Sequence, residues 1–261
     1  MGMSRTGLAA IGVCAGSLFT AAVQPAYAGL FIVPQAYATT EAGSAHSTAF
    51  NTGSRTEVIV IDNSVLAAAG ILPGTDLEGI SFRANGGTGP SPAMSFSNYD
   101  VKLGVAALSA ATASTVFANN VVGGDPGFTI LHTGALSLPA GYFSGGATPN
   151  AFALPIAFSS SYYYSGAGQG LVLEITHTAG TNSEFLDSFN ITGTGSISGI
   201  TGFSATSDTA TSQTGTNIAS TTISVLAFDV PEPATFTVLG LGVLALAGAR
   251  RRQGAARPLP L

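Results

Sequence analysis

GLVLEIT, residues 170–176, places Leu171, Leu173 and Ile175 at every second position, with Glu174 and Thr176 between them. Alternation of period two predicts a β-strand with one buried and one wet side. The same reading holds for YDVKLGV, residues 99–105, where Tyr99, Val101, Leu103 and Val105 share a face opposite Asp100 and Lys102. Phe152, Leu154, Ile156 and Phe158 share a face in a third segment, and Ile80-Ser81-Phe82-Arg83 alternates too. Glu57 to Ile61 is a mostly unbroken apolar run and is expected nearer the centre of a sheet. Pro155 cannot donate to a β-ladder, so its strand is expected near an edge.

Glycine-rich turns separate these runs: Asn85-Gly86-Gly87, Gly123 to Gly127, Gly145-Gly146 and Gly166-Ala167-Gly168. About ten short strands with turns between them predict an all-β fold, a single β-sandwich or jelly-roll-like domain. One short helix is expected at Ser64 to Ala69, stopped by Gly70. Residues 193–222 are rich in Ser and Thr and read as a solvated loop with a weak strand at Ser196 to Phe203, or as a glycosylated tract. Thr222 to Phe228 reads as the strand that closes the domain.

The chain has 261 residues, of which only 8% are charged and 46% hydrophobic, enough to cover a core. Between Gly29 and Asp229 stand three basic residues, Arg55, Arg83 and Lys102, against twelve acidic ones, a net of −9. Nucleic-acid binding needs clustered Lys and Arg and is excluded as a partner class. The one cysteine, Cys14, follows the bulky Val13, which argues against a lipoprotein site. Without residues 1–28 the chain has no thiol, which suits an oxidising exterior.

Residues 1–28 read as a secretory signal, with Arg5 as the positive start and Leu8 to Val23 as the apolar core. Ala26-Tyr27-Ala28 is a small-x-small cleavage site for signal peptidase, leaving Gly29 as the new N-terminus. At the other end, Ala234 to Ala249 is a short apolar helix candidate. It would span about 24 Å, less than the roughly 30 Å hydrocarbon core of a bilayer. Arg250, Arg251 and Arg252 would stay on the cytoplasmic side, with the body outside. Pro231 and Pro233 keep the segment before the helix extended and accessible.

Val230-Pro231-Glu232-Pro233, the short Gly/Leu/Ala-rich run and Arg250-Arg251-Arg252 together resemble the PEP-CTERM sorting signal. The resemblance implies an exosortase, a membrane cysteine transpeptidase, that reads the signal and cuts near the Pro-Glu-Pro. It covers about the last tenth of the chain, and the tail Gln253 to Leu261 departs from the pattern by running on past the arginines. The implied organisation is a signal peptide (1–28), a β-sandwich body (29–229), a sorting signal (230–252) with a transmembrane helix (234–249), and a tail (253–261). The body also resembles an uncharacterised β-rich domain found ahead of such signals, through Leu77 to Arg83, Asn98 to Gly104, Thr115 to Asn120, Gly134 to Leu138 and Gly170 to Ile175. That resemblance brings no catalytic residues with it.

Chemistry-bearing motifs are sparse. His46, His132 and His177 are scattered and read as surface or strand-end residues. Asp76 and Glu78 would share a strand face, which is the composition of a glycosidase pair but also of ordinary solvated charges. Asp125-Pro126-Gly127 could offer oxygens to calcium, without a recognisable calcium loop. Tyr162-Tyr163-Tyr164 is the candidate glycan contact, since adjacent strand residues point alternately and at least one should be exposed. These readings point to an exported, non-enzymatic surface or matrix protein without cofactor, catalytic or metal residues. It passes through the inner membrane transiently. A polysaccharide-binding module is the alternative, and a secreted hydrolase the third.

Overall fold

The computed structural model describes residues 29–191, 197–213 and 222–231. The expected signal peptide and its cleavage residues Ala26 and Ala28, the helix 234–249, and the tail 253–261 lie outside the described residues. Among the described residues no helix is long and apolar enough to cross a membrane.

The fold is β-rich, and the described residues form four antiparallel sheets and one short α-helix. The first sheet has the order β1 (Leu30–Val33), β14 (Leu226–Asp229), β4 (Thr75–Phe82), β9 (Ile156–Tyr164). The second runs β12 (Ile200–Ala205), β3 (Arg55–Asp62), β10 (Gly170–His177), β6 (Tyr99–Val105), β7 (Thr129–His132). A third joins β13 (Thr222–Ser224), β11 (Leu186–Asn190) and β2 (Ser44–His46), and a fourth pairs β5 (Met94–Phe96) with β8 (Leu136–Leu138). The first and third sheets run into each other. Asp187 N–H donates to Arg83 C=O at 3.0 Å, and Val225 N–H donates to Asp187 C=O at 2.8 Å.

Inward-facing residues of all four sheets meet in one apolar core. Leu77, Ile80, Phe82 and Phe228 come from the first sheet, and Ile59, Ile61, Leu103, Leu173 and Ile175 from the second. Phe189 and Ile223 come from the third, Met94 and Phe96 from the fourth. Phe50 sits among Phe82, Phe96, Tyr99 and Phe143, with ring centroids 5.1–6.2 Å apart. Such aromatic pairs add to the burial of their area.

The expected wet side of residues 170–176 is not there: all eight residues of β10 are buried. A second, smaller core covers the outer face of its sheet. Val58, Val60 and Val172 pack there against Phe117 and Val121 from the connection after β6, and against Ala205. Glu174 lies on that covered face and takes the Lys102 ammonium at 2.6 Å from Oε1. The run at Glu57 to Ile61 is central, as expected, because β3 lies between β12 and β10 and both of its faces are covered.

Two boundaries also differ from expectation. The strand expected through Phe152–Phe158 begins only at Ile156, and Leu154 is exposed. Pro155 stands just before it, and β9 is an edge strand. The weak strand expected from Ser196 is β12, which begins at Ile200 and pairs with β3. The helix α1 (Asn63–Ala68) ends as the sequence predicts. Gly70 has φ +90°, a conformation that suits glycine, and its N–H donates to Ala67 C=O at 3.0 Å.

Candidate functional site

Of the expected processing residues, Val230 and Pro231 are described. Glu232, Pro233, Arg250, Arg251 and Arg252 lie outside the described residues. The strand leading to them is well anchored. β14 is inserted between β1 and β4, pairing Leu30 with Asp229 on one side and Gly79 with Asp229 on the other. Val230 N–H donates to Gly29 C=O at 3.1 Å, so the first and last residues of the body lie side by side. Partial burial pushes the Asp229 carboxyl above its ordinary value. Pro231 has no N–H and cannot extend the ladder, so regular pairing stops where the Pro-Glu-Pro begins.

The three tyrosines do not form one surface. Tyr162 and Tyr164 turn into the main core, and Tyr164 Oη donates to Asn63 Oδ1 at 2.6 Å. Tyr163 alone faces out, 63% exposed. It pairs across the ladder with Asp76, and both Asp76 and Glu78 are exposed. The strand alternation is as expected, but a contact made by all three rings is not possible in this fold. Changing all three would test folding rather than binding. Tyr163→Ser is expected to leave the free energy of unfolding in urea within about 0.5 kcal/mol of wild type. Any loss of retention on native polysaccharide would then report a surface contact.

His132 and His177 end strands as expected, and His46 ends β2; His177 is buried and the other two are partly buried. His177 is fully buried, with Nε2 2.8 Å from Thr48 C=O and Nδ1 2.7 Å from Thr178 C=O. Burial lowers its pKa, although both carbonyls favour the charged ring. His132 Nδ1 lies 2.8 Å from Tyr99 C=O at the end of β7. His46 Nδ1 approaches Glu57 Oε1 at 3.5 Å, and its other ring nitrogen meets the Thr48 hydroxyl. Glu57 faces the core from β3, fully enclosed, and desolvation pushes its carboxyl up to about 8. His46 is pushed down to about 4, first by burial and then by the charge of Arg55. The distance would allow an ion pair, but burial disfavours both charges, so at neutral pH the contact joins two neutral groups.

Sequence reasoning missed the most enclosed charge pair. Arg83 and Asp187 are 1% and 0% exposed. Arg83 Nε and Nη2 donate to Asp187 Oδ2 at 2.8 and 2.5 Å, and Nη2 also reaches Tyr37 C=O and Thr40 C=O at 2.8 and 2.6 Å. Asp187 Oδ1 accepts from Ala42 N–H at 2.9 Å, and the guanidinium lies 5.1 Å from the Phe152 ring centroid. The signal available in the sequence was Arg83 itself, one of three basic residues in the body, placed opposite Ile80 and Phe82.

Among the described residues no three of His, Cys, Asp or Glu come close enough to hold a metal ion, Asp125 included. No curated protein and no solved structure matches the chain. The family model of the PEP-CTERM protein-sorting motif matches residues 229–252, beginning on the last residue of β14. The chain therefore carries a PEP-CTERM sorting motif directly after its closing strand, and it is an exported protein that transits the membrane and meets exosortase-type processing machinery.

Proposed function

We propose that this is a non-enzymatic surface or extracellular-matrix protein, a β-sandwich body delivered by exosortase processing and released from a transient membrane helix. The observation that carries this reading is the junction at Asp229: the motif starts on the residue that closes the fold. A body completed at the first residue of the motif can be cut free beyond it without losing a strand. The commitment of the histidines to backbone carbonyls and to the core supports a structural rather than a catalytic role.

The test is mass spectrometry of both termini, on protein from the membrane, the surface and the medium of a cell that holds the processing enzyme. The expected mature form starts at Gly29 and lacks Arg250 to Leu261. Glu232→Ala, or deletion of Arg250 to Arg252, is expected to leave most of the chain as membrane-bound precursor. Surface protein dominated by intact peptides through Leu261 would make this a permanently anchored domain instead.

A further inference from the structure

We propose that a pocket on the outer face of the second sheet binds a single amino-sugar residue of an extracellular polysaccharide. The pocket has a volume of about 220 Å³ and lies where the β6–β7 connection and the segment after β12 fold over β6 and β10. Lys102, Glu174 and Thr176 form its floor, with Asp125, Phe128 and Asp208 around it. Its size suits one ring, since drug-sized ligands take roughly 300–1,000 Å³.

The charges select the ligand. Lys102 is neutralised by Glu174 at 2.6 Å. Asp125 and Asp208 form no ion pair among the described residues, so the lining carries two uncompensated negative charges. A bare metal ion does not fit, because the carboxylates do not converge. A ligand spread over several ångströms does: an ammonium can meet one carboxylate while ring hydroxyls reach the floor.

The floor offers partners for those hydroxyls. Thr176 is 7% exposed and its hydroxyl has no hydrogen-bond partner among the described residues. Only one Glu174 oxygen is used, by Lys102. The Thr176 hydroxyl opens to the pocket, where it is free to bond a ligand hydroxyl in place of water. Phe128 supplies an apolar face for the C–H side of a sugar ring. Uronate or phosphorylated sugars would face like charge and are rejected.

Calorimetry on the full chain in detergent can decide this, with tetramers of glucosamine, N-acetylglucosamine and glucuronate as probes. The glucosamine tetramer is expected to bind at least about tenfold more tightly than the other two. The double variant Asp125→Asn with Asp208→Asn is expected to weaken it about tenfold, some 1.4 kcal/mol, with an unchanged melting temperature, since neither carboxylate is buried. Thr176→Val, nearly isosteric, should weaken it as well. The proposal is overturned by absence of glucosamine binding, by equal affinity for either other tetramer, or by a double variant that binds like wild type. None of these results bears on C-terminal processing, which is read separately by mass spectrometry.

Discussion

Replacing Arg83 by methionine is expected to destabilise the body by about 3–5 kcal/mol, the cost of leaving a buried partner charge uncompensated. Asp187 would remain fully enclosed, keeping the Ala42 N–H but facing the Glu41 carboxyl without the guanidinium that now offsets both. The carbonyls of Tyr37 and Thr40 would lose their donor, freeing the segment that Arg83 now ties to the junction of the first and third sheets. In a domain of this size each kcal/mol moves the melting temperature by about 2–4 °C, so a drop of roughly 6–20 °C is expected in a thermal scan. The double change Arg83→Met with Asp187→Leu separates charge from packing. If the uncompensated carboxylate is the cause, the double variant recovers much of the loss. A single variant that melts within 2 °C of wild type would mean that water or a local rearrangement solvates Asp187.

Glu57→Gln is expected to make the body more stable at pH 8 and to leave it little changed near pH 5. The folded carboxyl titrates at about 8, against an ordinary value of 4.5, so between those values the folded state holds a proton that the unfolded chain has released. Stability from this group is full below pH 4.5 and is lost as pH rises through 8, by about 1.4 kcal/mol per pH unit. His46 works in the opposite sense. Its ring is pushed from 6.5 to about 4, so its contribution is full above pH 6.5 and is lost as pH falls toward 4. The two slopes cancel between about 4.5 and 6.5, leaving a net fall of roughly 2 kcal/mol from pH 6.5 to 8. Glutamine keeps the shape and cannot ionise, so the variant should be flat across that window in urea titrations. A flat wild-type profile from pH 6.5 to 8 would rule the reading out.

The strand pattern was legible where side chains alternate between core and solvent, as in β6, whose Asp100 and Lys102 are only partly covered. It misled at β10, because the cover over Glu174 and Thr176 comes from residues 106–128 and from the end of β12. Nothing local in GLVLEIT announces a lid made elsewhere. The same limit hid the Arg83–Asp187 pair, whose members lie 104 residues apart and meet only because β11 docks beside the end of β4. The tyrosine strip was half legible: period two fixed that neighbours diverge, but which face is the core depends on the pairing of β9 with β4. The sorting motif was readable in full because it is a contiguous run of residue types, Pro-Glu-Pro, apolar run and arginines, that needs no long-range contact to be seen in the sequence.

The insertion of β14 between β1 and β4 also sets an order of events for the closing of the fold. The earlier strands can be partly collapsed, yet β1 has no ladder partner until Leu226 to Asp229 arrive. The last stitch of the fabric is thus made by the residues that immediately precede the Pro-Glu-Pro. Two residues, Val230 and Pro231, separate Asp229 from Glu232, and three Cα steps reach at most about 11 Å. On the proposed reading, cleavage near the Pro-Glu-Pro falls at the hem of a finished sheet.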